Sequence, residues 1–286
     1  MQRVAATEVR LLCEPDLAAA MQLKEAAGWN QTEHDWRRLL TLEPNGCFCA
    51  IKDGRLVGTT TTTTYGSDLA WIGMVLVDPQ YRGQGIAANL MSIALDYLNS
   101  KVATVKLDAT QQGKPVYEKF GFQVESLIER WSGTGRSTEC NSRGQTVPGR
   151  DELRELLVLD RLAFNADRSK LIEALIRNAS IPPLIVRASD GAVSGYAVAR
   201  SGTKADYVGP IIAKDRQSLE TLLDQVLSQL PGRRIYIDLN TECTAGKQVL
   251  SDRGYAKERD LVRMFAGTPS EKTSPFVFAI AGPEIG

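Results

Sequence analysis

The segment from Ile72 to Leu90, IGMVLVDPQYRGQGIAANL, constrains the fold of this chain more than any other stretch. Its apolar run, Met74 to Val77, is typical of a buried strand. Pro79 then ends the strand, because proline has no N–H to donate to a neighbouring strand. A glycine-containing loop follows and leads into an amphipathic helix, predicted from about Gly85 to Ser100. A strand, a loop and a helix in this order predict an α/β domain in which helices cover a sheet.

The loop at the start of that helix has the chemistry of an anion site. Its glycines let backbone N–H groups approach a ligand closely, the helix N-terminus carries the positive end of the helix dipole, and an arginine adds a fork of donors. The loop therefore predicts a pyrophosphate-binding cradle formed by Arg82, Gly83, Gln84, Gly85, Ile86 and Ala87. It is not a dinucleotide fingerprint, which needs a third glycine, and no Gly-Lys-Ser/Thr follows as a P-loop requires.

This arrangement resembles the acyl-CoA-binding motif of the GNAT superfamily of N-acyltransferases, Arg/Gln-x-x-Gly-x-Gly/Ala. Arg82, Gly85 and Ala87 occupy its defined positions. A second segment, Pro115 to Phe122 (PVYEKFGF), is similar to the family's Tyr-x-x-x-Gly-Phe element after the fifth strand. The resemblance covers about residues 1 to 131.

The resemblance implies an α+β fold with a mixed, mostly antiparallel sheet, in which the fourth and fifth strands splay apart. The pantetheine of acetyl-CoA would lie in that gap against Val75, Leu76 and Val77. Backbone groups of Val75 and Val77 would bind its amides in the manner of a strand pair. Acetyl-CoA is thus the expected co-substrate.

Two residues are candidates for the chemistry. The resemblance places the family's general-acid tyrosine at Tyr117, and a hydroxyl near the sulfur suits protonation of the departing thiolate. Asp108, at the end of a predicted strand, could orient or deprotonate an amine, or could equally cap a turn before Thr110 and Gly113. Water is a further candidate base. His34 lies on a predicted helix, and we expect an exposed structural role for it.

The second half of the chain repeats the first weakly. Gly58 and Gly73 are 15 residues apart, Gly195 and Gly209 are 14 apart, and the order of predicted helices and strands is the same in both halves. We predict a catalytic GNAT domain at residues 1–131, a polar linker at 132–150 and a second GNAT-like domain at 151–286.

The second copy lacks the features that carry chemistry in the first. Its equivalent of the cradle, Ala213 to Ser218, contains no glycine. When the two halves are aligned, Leu250 takes the position of Tyr117. We therefore expect this copy to be degenerate, with a structural role and a part in shaping the acceptor site.

Composition excludes several other classes. The chain has 34 Lys and Arg and 34 Asp and Glu, so its formal net charge is zero. It therefore lacks the overall positive charge that favours binding of nucleic acid. No apolar run is long enough to span a membrane, we see no signal peptide, and the five scattered cysteines with one histidine assemble no metal site. Free thiols are typical of a cytoplasmic protein.

The six threonines Thr59 to Thr64 predict a strand exposed on one face.

The sequence thus favours an acetyl-CoA-dependent N-acetyltransferase acting on a primary amine of a small molecule or a peptide. Two alternatives stay open at this point. One is an N-acyltransferase that uses a longer acyl-CoA, and the other is a non-catalytic acyl-CoA sensor.

Overall fold

A computed structural model describes residues 7–136, 148–269 and 274–286. Within the described residues, the first half contains six strands and four α-helices: β1 (Glu8–Leu11), α1 (Leu17–Ala26), α2 (Glu33–Leu42), β2 (Cys47–Lys52), β3 (Arg55–Tyr65), β4 (Leu69–Val77), α3 (Ile86–Leu98), β5 (Thr104–Ala109), α4 (Lys114–Glu118) and β6 (Gln123–Thr134). Asp53 and Gly54 both have positive φ between β2 and β3, as the hairpin requires.

The second half repeats the order of these elements: α5 (Arg150–Phe164), α6 (Ser169–Arg177), β7 (Leu184–Arg187), β8 (Val193–Arg200), β9 (Asp206–Ala213), α7 (Arg216–Gln229), β10 (Arg234–Asn240), α8 (Gly246–Asp252), β11 (Ala256–Gly267) and β12 (Val277–Ala279). The predicted linker at 132–150 begins too early, because β6 continues to Thr134 in register with β10. Most of the remaining linker lies outside the described residues.

All twelve strands form one sheet in the order β1-β2-β3-β4-β5-β11-β6-β10-β12-β9-β8-β7. The sheet is mostly antiparallel, and its parallel strand pairs are β4–β5 and β9–β10. One long strand of each half pairs with strands of the other half, an arrangement called the strand exchange below. β11 of the second half pairs with β5 of the first, and β6 of the first half pairs with β10 of the second.

One hydrophobic core is shared by the two halves. Trp36 and Leu39 of α2 lie in the same buried cluster as Leu156 of α5 and Leu171 of α6. A second buried cluster packs α3 against β4, β5 and β11. Helices from both halves therefore cover a common sheet, as expected for a mixed α/β architecture.

The threonine run forms strand β3 as predicted, but the prediction of an exposed face is wrong. Thr59 to Thr63 are all buried. The strand lies inside the sheet between β2 and β4, and α1, α2 and α3 all contact it. Both faces are therefore covered, and His34 remains exposed on α2 as expected.

The last residues of the chain also join the two halves. The Tyr65 hydroxyl donates to the Ile285 carbonyl at 2.6 Å, and the Trp71 indole donates to the Pro283 carbonyl at 3.0 Å. The Glu284 carboxylate accepts from Arg200 at 3.1 Å and from Gln31 at 2.8 Å. This terminal segment packs so closely on β4 that a Cβ at Gly73 would lie 2.5 Å from the Glu284 carbonyl oxygen.

Candidate active site

The site begins where β4 and β5 separate. The two strands pair only from Leu69–Trp71 to Thr104–Lys106 and then diverge. A bulge in β4 lies just beyond, with Met74 at φ 50° and its carbonyl accepting from the Thr59 hydroxyl at 2.8 Å. Bulges redirect a strand and its side chains next to functional sites. The edge of β4 from Val75 to Val77 is thereby left without a strand partner on the β5 side.

A cavity of about 840 Å³ occupies the gap. Its volume fits the range of small-molecule sites. The lining combines the unpaired part of β4, the loop before α3, the segment around α4, and part of β11: Val75, Leu76, Val77, Arg82, Gly83, Gly85, Ile86, Ala87, Asp108, Thr110, Tyr117, Arg259 and Leu261 are among its residues. The cavity thus brings the predicted cradle and the predicted acid together.

The cradle has the local geometry that an anion site needs. Gly83 and Gly85 have φ of 75° and 78°, values that L side chains rarely adopt. Gly85 is the N-cap of α3 and supplies no side-chain cap, so the first amides of the helix are free of an internal acceptor. The Gln84 side chain instead accepts from Lys52 at 2.6 Å and does not line the cavity.

Tyr117 lies on α4 at the opposite side of the gap. Its ring packs edge-on against Phe122, with centroids 6.2 Å apart, and covers Gly113. Burial raises the pKa of Tyr117 to about 12, so its hydroxyl is protonated at neutral pH. A protonated phenol on the cavity wall can donate a hydrogen bond or a proton to a group in the gap.

Asp108 also reaches the cavity, but its carboxylate is held in an ion pair. Arg263 of β11 donates to both carboxylate oxygens at 2.9 Å, and the Asp108 side chain is fully buried. The turn cap considered for Asp108 is supplied by Thr110, whose hydroxyl oxygen accepts from the Gly113 amide at 3.1 Å. Asp108 therefore joins the two halves of the protein at the edge of the site.

A smaller cavity of about 40 Å³, lined in part by the β4 bulge at Gly73 and Met74, shares several lining residues with the first. Tyr117 and Asp108 line both cavities, and so do Trp29 and Arg259. Glu284 lines the smaller one. Sequence reasoning missed Arg259 and Glu284, because both lie in the half without the cradle and reach the site only through the strand exchange and the terminal segment.

The equivalent gap in the second half is filled by the chain itself. β9 and β10 pair in parallel only at Asp206–Tyr207 with Ile235–Tyr236, and β12 pairs between them farther along. The α7 N-terminus is also capped, since Asp215 accepts from the Ser218 amide at 2.7 Å. A strand and a carboxylate thus occupy the places that correspond to the gap and the cradle of the first half.

No group of three or more His, Cys, Asp or Glu side chains able to hold a metal is present in residues 7–136, 148–269 and 274–286. Across the same ranges, none of the helices combines the length and apolar character needed to cross a membrane.

The fold is that of the GNAT family, and the sequence comparisons agree. Residues 14–122 match the model of the acetyltransferase (GNAT) family, and residues 156–279 match a model of an acetyltransferase (GNAT) domain. The chain belongs to the GNAT family and contains two GNAT domains in tandem.

Particular relatives cover either the whole chain or its first domain. The uncharacterized N-acetyltransferase YitH of Bacillus subtilis is 24% identical over 98% of both chains. Glucosamine 6-phosphate N-acetyltransferase of Trypanosoma brucei brucei is 31% identical over 43% of this chain and 94% of its own length. A crystal structure from Pyrococcus horikoshii shares the tandem fold, with a TM-score of 0.83 at 22% identity over 98% of this chain and 96% of its own.

Proposed function

We propose that the protein transfers the acetyl group of acetyl-CoA to a primary amine of a small molecule or a peptide, by direct attack in a ternary complex. The observation that carries this proposal is the cavity between β4 and β5, which has the glycine cradle on one side and Tyr117 on the other. The pyrophosphate would bind the amides at the start of α3, and the pantetheine would lie along Val75 to Val77 as an added strand.

In this proposal the chain positions the reactants and supplies a proton donor. The amine nitrogen bonds to the thioester carbon, the carbon–sulfur bond breaks, and the sulfur leaves with the bonding electrons. Tyr117 donates its hydroxyl proton to that sulfur, because apolar surroundings disfavour a bare thiolate. The tyrosinate regains a proton from water, and the proton lost by the amine passes to a base.

The two carboxylates that line the smaller cavity are both engaged in other contacts, which restricts the choice of that base. Asp108 is paired with Arg263, so deprotonation by its carboxylate would require the ion pair to open. Glu284 is the other carboxylate that lines the smaller cavity, but it accepts from Arg200 and Gln31. Water remains the simplest acceptor of the amine proton.

Steady-state release of CoA thiol with a library of primary amines tests the proposal. We expect acetyl-CoA-dependent release with at least one amine, and acetylation of that amine by mass spectrometry. A protein whose melting temperature rises with CoA but that releases no thiol with any amine would be a binder instead. Faster release from longer acyl-CoAs than from acetyl-CoA would identify a different acyl donor.

A further inference from the structure

Arg259, which is half-buried, differs from the fully buried arginines of the described chain. The others are paired with carboxylates: Arg38 with Asp35, Arg130 with Asp238, Arg168 with Asp160, Arg200 with Glu284 and Asp35, and Arg263 with Asp108. The Arg259 Nε is buried without a hydrogen-bond partner. The Arg259 guanidinium forms no ion pair within the described ranges, although its side chain lines both cavities.

The carboxylates near Arg259 are already engaged. Both oxygens of Asp238 accept from Arg130, at 2.7 and 2.6 Å. Glu258 is paired with Arg234 at the surface. Asp260, which lines the larger cavity, is paired with Lys257 at 2.8 Å. Asp238 and Glu258 offset part of the Arg259 charge, but none of these three carboxylates forms an ion pair with it.

The strand pairing increases the electrostatic cost of this arrangement. Arg259 on β11 lies directly opposite Arg130 on β6, and like charges in such a pair are destabilising. The register shifts between Lys257 and Arg259, so a bulge turns the chain immediately before this residue. Burial, with the charge of Arg130 as a further cause, lowers the pKa of Arg259, but an arginine stays charged in proteins.

An unpaired cation at the wall of a cavity, held against a like charge, is what an anion-binding subsite requires before its ligand arrives. Resting on the proposed acetyl transfer, we propose that Arg259 binds an oxyanion of the acceptor, so that the preferred substrate is an amine that also carries a phosphate or a carboxylate. The planar guanidinium fork matches both groups. Strand β11 of the second half would thus select the substrate of the first.

Paired acceptors measure this preference. Thiol release is compared for D-glucosamine 6-phosphate against D-glucosamine, and for L-lysine against L-lysinamide. In the wild-type protein we expect kcat/KM to favour the anionic member of at least one pair by roughly 10- to 100-fold, the range given by a charge-assisted hydrogen bond. The phosphate pair and the carboxylate pair distinguish the two sources of the oxyanion.

Three variants locate the effect. Arg259→Ala should bring the ratio close to one with the CoA dissociation constant unchanged, and Arg259→Lys should retain part of it. Arg234→Ala, on β10 two strands from β11 and outside both cavities, should keep the wild-type ratio. The melting temperature of Arg259→Ala should equal or exceed that of the wild type, because the substitution removes an unpaired charge opposite Arg130.

A binding measurement covers the case in which none of these amines is acetylated. With CoA saturating, 50 mM phosphate or acetate should raise the melting temperature of the wild type more than that of Arg259→Ala. Equal shifts, an anion preference that survives Arg259→Ala, or a loss confined to CoA binding would each overturn the proposal. Failure of the proposed function would appear separately, as no thiol release with any amine despite a normal anion shift.

Discussion

At the residue scale, Gly85 is the position of the cradle where an added side chain should interfere most with a bound anion. Gly85 combines a φ of 78° with open space around the position of a Cβ. We expect Gly85→Glu to raise the CoA dissociation constant by roughly 100-fold or more. The new side chain strains a left-handed backbone by about 1–2 kcal/mol and places a carboxylate where the pyrophosphate would bind. Isothermal titration calorimetry measures the change.

Gly191 provides the matched control for that variant. It lies in the turn between β7 and β8, with φ of 85° and no atom within 4 Å of a Cβ. Gly191→Glu introduces the same charge and a similar backbone strain far from the cradle. It should lower the melting temperature about as much as Gly85→Glu and leave CoA binding intact; equal loss of binding in both variants would indicate general destabilisation.

Tyr117 gives a second prediction at this scale. Tyr117→Phe should lower kcat on the order of 100-fold with little change in the CoA dissociation constant, because a proton donor acts mainly in the transition state. Tyr97→Phe is the control, since it removes a hydroxyl that donates to Glu43 outside both cavities. Full kcat in Tyr117→Phe, with chemistry limiting the wild type, would make Tyr117 a packing residue.

The pKa of Tyr117 adds a pH dependence to that prediction. Since burial raises the pKa to about 12, the acid stays protonated across the neutral and mildly alkaline range. We expect no fall of kcat between pH 7 and 10 from ionisation of Tyr117. A decline of kcat centred in this range that is absent in Tyr117→Phe would contradict the raised pKa of Tyr117.

At the element scale, most strands and helices follow from local patterns, and the errors have physical causes. Strands such as Cys47–Lys52 and Val193–Arg200 were predictable because apolar residues and turn signals mark their ends. β1 and β12 escape prediction since four and three residues are too few for a periodicity. The buried threonines of β3 were unpredictable, because their burial is decided by helices elsewhere in the chain.

The pairing of β5 with β11 makes a further prediction at this scale. Asp108→Leu would leave the Arg263 charge buried without its carboxylate, at a cost of about 3–5 kcal/mol in the free energy of unfolding. Asp108→Leu combined with Arg263→Met should recover much of this loss, because an apolar pair of similar volume can replace a buried ion pair. Chemical denaturation of both variants measures the recovery.

The double variant also separates the roles considered for Asp108. If the carboxylate acts only through the ion pair with Arg263, the refolded double variant should keep kcat near the wild-type value. A stable double variant with kcat reduced by two orders of magnitude or more would show that the Asp108 carboxylate acts on the amine, by orienting or deprotonating it. Its CoA dissociation constant serves as the control for an intact cradle.

At the scale of the whole molecule, the duplication was visible in sequence but the way the halves combine was not. Spacing of glycines and order of elements report the repeated fold. Which strand pairs with which is decided by long-range packing, so the exchange of β6 and β11 left no local signal. Arg259 and Glu284 were missed for that reason.

The two halves should differ in CoA binding. The gap between β4 and β5 contains a cavity, whereas β12 fills the gap between β9 and β10 and Asp215 caps α7. We therefore expect calorimetric titration to give one CoA site per chain. Two equivalent sites, or a site that survives in Gly85→Glu, would show that the second half binds CoA as well.

The strand exchange predicts how the protein responds when the two halves are separated. A chain ending at Thr134 would retain the cradle and Tyr117 but lose β10 and β11, which leaves one edge of β5 and both edges of β6 unpaired. Unpaired strand edges promote aggregation. We expect this fragment to be insoluble or inactive when produced alone.

A cut chain should behave differently from a truncated one. A protease recognition sequence inserted between β6 and α5 allows cleavage after folding, and the β5–β11–β6–β10 pairing should then hold the two pieces together. Gel filtration should give one species of unchanged size, and kcat/KM for the acceptor should stay within about twofold of the uncut protein. The uncut insertion variant is the control for effects of the inserted sequence. Separation of the pieces under native conditions, or a soluble 1–134 fragment with the full-length kcat/KM, would contradict the view that the two halves form one folding unit, because neither result is compatible with β11 completing the sheet of the first half.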